Sequence, residues 1–282
     1  MIGMHPELYG FPELALFRNE RVAQLLTNPP AFRGLPPRAR NAGLVRALAH
    51  LHDGRQDEES VQRSTAWLAD RSEWPTAAVF DHLLALVAPL VGLEKSPEDS
   101  NREDYLERVE RHYPRARYLH ITRHPTPTVE SMYAAWSSAG FWDVPDELFR
   151  LHLLGTWLFH HARLKRFTDG LPPDRWMRVR SEDILNRPRE VLPCISQWLG
   201  IDSGETAIEA MLHPERSPFA RLGPANARGG NDPGFLKAPA PRATALLDTL
   251  DLPEDWVVDP WLHVAVVEFA ATIGYRHKTS AS

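Results

Sequence analysis

The 282-residue chain holds a single cysteine, Cys194. No internal disulfide and no cysteine-built metal cluster can form from it. Its place in a helical pattern over 188–198 predicts a small, buried apolar residue. Lysine is scarce as well: Lys95, Lys165, Lys237 and Lys278 are four of the 32 basic residues, and the rest are arginine. There is no basic surplus, because the net charge is -5. Neither nucleic acid nor an anionic membrane is then the expected partner, and any anion site must be local. The first residues lack the basic start and apolar stretch of a signal peptide. The longest apolar run, 83–93, is broken by Pro89 and is too short to span a bilayer. A cytoplasmic enzyme is the expectation.

Several catalytic signatures are missing too. No Gly-x-x-x-x-Gly-Lys-Ser/Thr loop occurs, and no Gly-x-Ser-x-Gly elbow surrounds Ser131. His5 and Glu7 have the spacing of a zinc deaminase His-x-Glu, but one cysteine cannot supply the Cys-x-x-Cys that must accompany it. His160 and His161 are adjacent on a predicted helix and point about 100° apart, so they cannot chelate one ion together.

What is present is the composition of a globular protein: 43% hydrophobic and 24% charged residues, enough for one large domain or two small ones. Helical periods alternate with short β-like runs, which predicts an α/β layer fold. Residues 1–13 read as the tail of a helix followed by an extended segment at 9–12. Helices are expected at 41–52 and 56–70 across a turn containing Gly54, after a Pro- and Arg-rich loop at 29–40. Pro75 opens a helix to about 89, and 90–94 reads as a strand. Ser100-Asn101-Arg102-Glu103 is a capping box for a helix to about 113. A buried strand follows at 118–122, then a helix from Thr126-Pro127 to about 138. A long helix over 146–167, a strand over 176–180 and a helix over 188–199 come next. Residues 213–240 form a long loop rich in Pro, Gly, Asn and Arg, which suggests a function. Helices over 241–250 and 260–274 close the chain. Trp136, Trp142, Trp157 and Phe159 fall at helical spacing and are expected in the core, with some residues of 133–142 lining an apolar acceptor pocket.

The most informative stretch is 118–131. A strand ends in Arg123, a proline-fixed turn follows, and a helix begins whose first-turn N–H groups and dipole favour an anion. Arg123 adds a forked, charge-assisted donor, and Ser131 sits slightly more than one turn into the helix. On physics alone, an anion site and an ordinary helix start with a surface arginine stand level.

Arg123-His124-Pro125, Val129 and Ser131, after a hydrophobic strand preceded by Tyr113-Pro114-Arg115-Ala116-Arg117, resemble the 3′-phosphate-binding segment of sulfotransferases. The resemblance implies that Arg123 and Ser131 hold the 3′-phosphate of 3′-phosphoadenosine-5′-phosphosulfate (PAPS). Further similarities follow in order along most of the chain. Residues 176–185, then Pro188 and Trp198-Leu199-Gly200, resemble the family's strand, Tyr-Glu-Asp turn and helix, with Ser181 where many members carry Tyr. Glu94-Lys95-Ser96-Pro97 resembles the segment facing the active site. Residues 228–236, starting Arg228-Gly229-Gly230, resemble the loop that closes over the nucleotide.

Near the start, His5-Pro6-Glu7-Leu8 and Pro12-Glu13-Leu14 resemble the segment after the family's first helix. The implied fold is an α/β, P-loop NTPase-like parallel sheet flanked by helices, one domain over 1–282. No residues here correspond to the family's first strand and its phosphosulfate-binding loop, so the resemblance places them upstream of Met1. An absent central strand would leave buried amides unsatisfied at about 1–3 kcal/mol each, against a domain stability of about 5–15 kcal/mol. The expectation is therefore an N-terminally incomplete chain, from a misplaced start or a fragment.

The implied chemistry needs a held donor, an activated acceptor and fixed cations, and no metal. Glu13 is the candidate general base; its bland alternative is a solvated surface carboxylate. Some relatives carry His two positions on, where this chain has Ala15. Lys95 is the candidate cation for negative charge developing near the sulfate, and its bland alternative is a surface ion pair. The acceptor implied is a hydroxyl or amine of a small molecule or of a carrier-bound acyl chain. An inactive nucleotide- or partner-binding relative is the alternative. A different phosphoryl-transfer enzyme would need a Walker lysine and acidic magnesium ligands, which are not found.

Overall fold

The computed structural model describes residues 1–27, 41–137, 144–241, 244, 249–250, 252–253, 256 and 259–277. In chain order its helices are α1 (Val22–Thr27), α2 (Ala42–Asp53), α3 (Glu58–Ala69), α4 (Thr76–Val87), α5 (Glu103–His112) and α6 (Pro125–Ser137). There follow α7 (Asp146–Asp169), α8 (Ser181–Asn186), α9 (Pro188–Leu199), α10 (Glu205–Met211), α11 (Pro233–Lys237) and α12 (Pro260–Thr272). The strands are β1 (Leu8–Gly10), β2 (Val91–Leu93), β3 (Tyr118–Thr122), β4 (Trp176–Arg180), β5 (Thr249–Leu250) and β6 (Arg276–His277). Every strand pair among the described residues is parallel: β1 with β2, β3 with β4, β5 with β6. Helical crossovers make parallel pairing possible, and the expected α/β class is the one found.

The chain divides into two compact units, one of Met1–Arg115 with Leu192–Pro241, the other of Ala116–Val191 with Arg242–Ser282. In the first, α2 is the centre. Ala42, Leu44, Val45, Ala47, Leu48 and Ala49 are all buried, as expected of a helix apolar nearly all round. Gly54 ends it in the left-handed conformation at φ 68°, its N–H donating to His50 O. The adjoining α3 starts from a reciprocal cap in which Asp57 accepts from Ser60 N–H and Ser60 answers the Asp57 N–H. Ser100, expected to cap the next helix, is not its N-cap. Pro97 starts a short 3-10 turn, Pro97–Ser100, in which the Ser100 hydroxyl donates to Pro97 O at 2.7 Å. Arg102 is instead the N-cap of α5, without a side-chain cap.

In the second unit, β3 and β4 pair in register from Tyr118 opposite Trp176 to Thr122 opposite Arg180. Val129 of α6, Leu153 and Trp157 of α7, Val266 of α12 and Tyr275 form its core. Trp157 is buried as expected and Trp136 packs against this core, but Phe159 is 64% exposed. Two residues along a helix is about 200° of rotation, so Trp157 and Phe159 take opposite faces. Cys194 is likewise exposed, correcting the buried role expected of it. The face of α9 that packs carries Leu192, Ile195 and Ser196. The expected loop at 29–40 and Trp142 lie outside the described residues, as does most of the helix expected at 241–250, whose last two positions are β5.

Candidate active site

The chain leaves β1 at Gly10 and turns through Phe11 and Pro12 to Glu13. Three bonds fix the turn. Glu13 N–H donates to Gly230 O at 2.8 Å, Leu14 N–H to Glu94 Oε1 at 3.2 Å, and Ala15 N–H to Ser96 Oγ at 2.8 Å. Ala15 has φ 49°, a left-handed conformation that costs a non-glycine residue about 1–2 kcal/mol. The bonds from Leu14 N–H and from its own N–H hold it there.

Glycines then bring three backbones together. A Cβ on Gly43, in the first turn of α2, would lie 2.0 Å from Glu13 O. A Cβ on Gly230, at φ 81°, would lie 2.5 Å from Gly43 Cα. Only residues without a side chain allow such contact. In this way the helix centre, the loop at 228–231 and the candidate base form one packed unit.

On that support, Lys95 Nζ pairs with Glu13 Oε1. The two residues named separately from sequence are therefore partners, with Glu13 the less exposed. Glu94, between them and the turn, also accepts from Ser96 Oγ. Burial pushes its carboxyl up to about 7, against these bonds and the Lys95 charge, which lower it. Asp99 is raised as well, by burial first and then by Glu94 and Glu98. In the loop, Arg228 is exposed. Gly229, at φ 109°, donates its N–H to Leu222 O at 2.9 Å, and its carbonyl accepts from Arg46.

In the other unit, Arg123 follows directly on β3. It is half-buried, and its carbonyl accepts from Trp157 Nε1 at 2.9 Å. Ser131 is exposed on the second turn of α6. The helix start itself differs from expectation, because α6 begins at Pro125. Pro125 and Pro127 carry no N–H. Thr126 N–H is taken by His124 Nδ1 at 3.2 Å and Thr128 N–H by His124 O at 3.3 Å. His124 N–H donates to Glu182 Oε1 at 2.7 Å. The dipole remains, but the backbone donors are spent, so an anion at this helix start would have to be held by side chains.

Glu182 was visible in sequence only as part of the Ser-Glu-Asp turn. It is 2% exposed and accepts from both His124 N–H and Tyr275 Oη, the latter at 3.1 Å. One carboxylate thus ties the Arg123 turn to α8 and to the end of the chain. Its neighbour Asp183 is held below the usual carboxylate range by Arg180 first, with Arg187 adding to it.

His161 pairs with His120 and not with His160. His120 Nε2 and His161 Nδ1 are 2.9 Å apart, and Arg178 Nε donates to His120 Nδ1 at 3.2 Å. A guanidinium can only donate, so His120 carries its hydrogen on Nε2 and gives it to His161. Burial first, then the neighbouring histidine and Arg178, hold His120 down to about 3. Burial, His160 and Arg178 hold His161 down to about 4. Among the described residues, no group of three or more His, Cys, Asp or Glu is arranged to hold a metal. No helix among them is long and apolar enough to cross a membrane.

Parallel strand pairs with helices between them make this an α/β protein. The chain belongs to the sulfotransferase family, whose profile matches residues 1–205. Its fold is that of solved sulfotransferase domains. A domain from the curacin biosynthetic pathway superposes with a TM-score of 0.73 at 19% identity, over 98% of this chain and 92% of that one. A domain from the Synechococcus PCC 7002 olefin synthase gives 0.71 at 21% identity, over 97% and 88%. No curated protein sequence matches significantly.

Proposed function

We propose that the protein, acting as one domain over 1–282, transfers a sulfuryl group from PAPS to a hydroxyl or amine of a small-molecule or carrier-bound acceptor. Membership of the sulfotransferase family supports transfer of this kind. The observation that carries the choice of donor is Arg123 at the end of β3 with Ser131 on the helix behind it. A guanidinium and a hydroxyl suit a phosphate that the backbone has no amides left to bind. Arg123 and Ser131 take the 3′-phosphate, and Arg228 with Gly229 belongs to the loop assigned to the nucleotide.

Glu13 takes the acceptor proton as the new O–S bond forms. The S–O bond to the donor phosphate breaks, and its electron pair stays on the phosphate oxygen. Lys95, already on the Glu13 carboxylate, orients that base and supplies a fixed positive charge. A carrier-bound acceptor is supported by the two structural relatives, which come from a biosynthetic pathway and an olefin synthase.

The reading is tested by calorimetric titration with 3′,5′-adenosine bisphosphate, the desulfated donor. Binding is expected, and Arg123→Ala should weaken it by roughly 10- to 100-fold, the worth of a charge-assisted bond. Equal affinity in the variant overturns the assignment.

A further inference from the structure

Within the first unit, Arg46 and His50 of α2, the residues 54–56 that follow it and the segment 215–223 border an open cleft of about 810 Å³. Its charged lining is cationic, with Arg46, Arg55, Arg216 and Arg221 against one acid, Glu215, while burial holds His50 toward its neutral form. Two of these charges are already answered. Arg55 pairs with Asp57 at 3.0 Å and with Glu59 at 3.3 Å. Glu215 bonds His213 Nδ1 at 2.8 Å and is held below the usual carboxylate range by its own backbone N–H first and then His213, with the Arg216 charge adding to it.

Arg46 stands apart. It is 1% exposed, yet it has no carboxylate partner among the described residues. Its guanidinium donates to Gln56 Oε1 at 2.8 Å and to Gly229 O, both neutral acceptors. Burial pushes it down to about 10. Arg216 and Arg221 are exposed, and neither forms an ion pair among the described residues. A buried charge without a counter-ion is costly, and a ligand that supplies the opposite charge removes that cost.

The anchoring of Arg46 indicates which ligand. Gly229 O holds the guanidinium, and the next carbonyl, Gly230 O, accepts from Glu13 N–H at 2.8 Å. Adjacent carbonyls of one turn therefore tie the cationic cleft to the candidate base. We propose that this cleft binds an oxyanion, a phosphate or carboxylate, carried by the acceptor whose hydroxyl Glu13 deprotonates. The acceptor part rests on the reading of Glu13 given above; the anion site stands on the cleft itself.

Inorganic phosphate, titrated calorimetrically into the full chain already saturated with 3′,5′-adenosine bisphosphate, should still bind. The double variant Arg216→Ala/Arg221→Ala should weaken it by roughly tenfold or more. Both residues are exposed, so this variant carries the test even where Arg46→Gln does not fold. No phosphate binding, or binding unchanged in the double variant, overturns the proposal. Displacement of phosphate by the nucleotide overturns it too, because the cleft would then belong to the donor. In turnover, 3-hydroxybutyrate should exceed 3-hydroxybutyramide in kcat/KM, and the double variant should abolish the difference; equal values in the parent protein overturn the acceptor assignment. Phosphate binding in the cleft with no nucleotide binding anywhere sinks sulfuryl transfer while supporting the anion site.

Discussion

Glu13 carries Lys95 on its carboxylate, so an acceptor hydroxyl losing its proton there has to share that group with an ammonium. On the proposed reading, Lys95 fixes one oxygen of the carboxylate and the other serves the acceptor. Glu13→Gln keeps the size and removes the basicity. It should lower kcat by about 10²- to 10⁴-fold, the usual worth of a general base, with little change in nucleotide affinity. Unaltered kcat in that variant would show that the base is elsewhere. Lys95→Ala frees the carboxylate, so a lysine acting only as a blocker predicts faster turnover. The proposed role predicts the reverse, a fall in kcat of roughly tenfold or more as fixed positive charge is lost, read from single-turnover rates.

Among the elements, β3 and β4 have the bounds read from the sequence, and α2, α3, α7 and α9 lie within two residues of theirs. Runs such as Tyr118–Thr122 and the apolar periods of α2 state their structure locally. Signals that several elements share are harder to read. Ser100 looked like a cap, but Pro97 engages it in an earlier turn. Thr126 looked like the cap of α6, yet the helix opens at Pro125, two residues sooner than that cap implies, with His124 taking the cap position. The candidate site was legible as single residues, Glu13, Lys95, Arg123 and Ser131. The bond between Glu13 and Lys95, the part played by Glu182 and the buried charge of Arg46 depend on segments far apart in the chain. Gly43 gave a local hint, as glycine inside a strongly apolar helix usually marks close packing. Gly43→Ala would drive a methyl into the Glu13 carbonyl. It should cost about 1–3 kcal/mol in thermal or denaturant unfolding and lower kcat more than it changes nucleotide binding. A variant with parent stability and parent kcat would show that the contact is dispensable.

For the molecule as a whole, Glu94 of the first unit and the His120–His161 pair of the second titrate in opposite senses. In the first, Glu94 is raised from 4.5 to about 7. Its contribution is full below about 4.5 and is lost as pH rises through about 7. In the second, His120 and His161 are lowered from 6.5 to about 3 and about 4. Their contribution is present above 6.5 and is lost as pH falls toward those values. Hydrogen exchange, corrected for intrinsic rates and compared at about pH 5 and about pH 8, should therefore move in opposite directions. Amides of β3 and β4 should lose protection at the lower pH, while those of Phe11 and β2, bonded main chain to main chain beside Glu94, gain it. Parallel changes in both places would contradict these environments, and Glu94→Gln should remove the response beside residue 94 while leaving that of β3 and β4. The prolines at the start of α6 have a consequence on a longer timescale. A cradle of main-chain amides comes with any sequence that folds and is hard to lose by point mutation. Where such amides are already spent, a hold on charge is encoded codon by codon, open to loss or to retargeting in a single substitution.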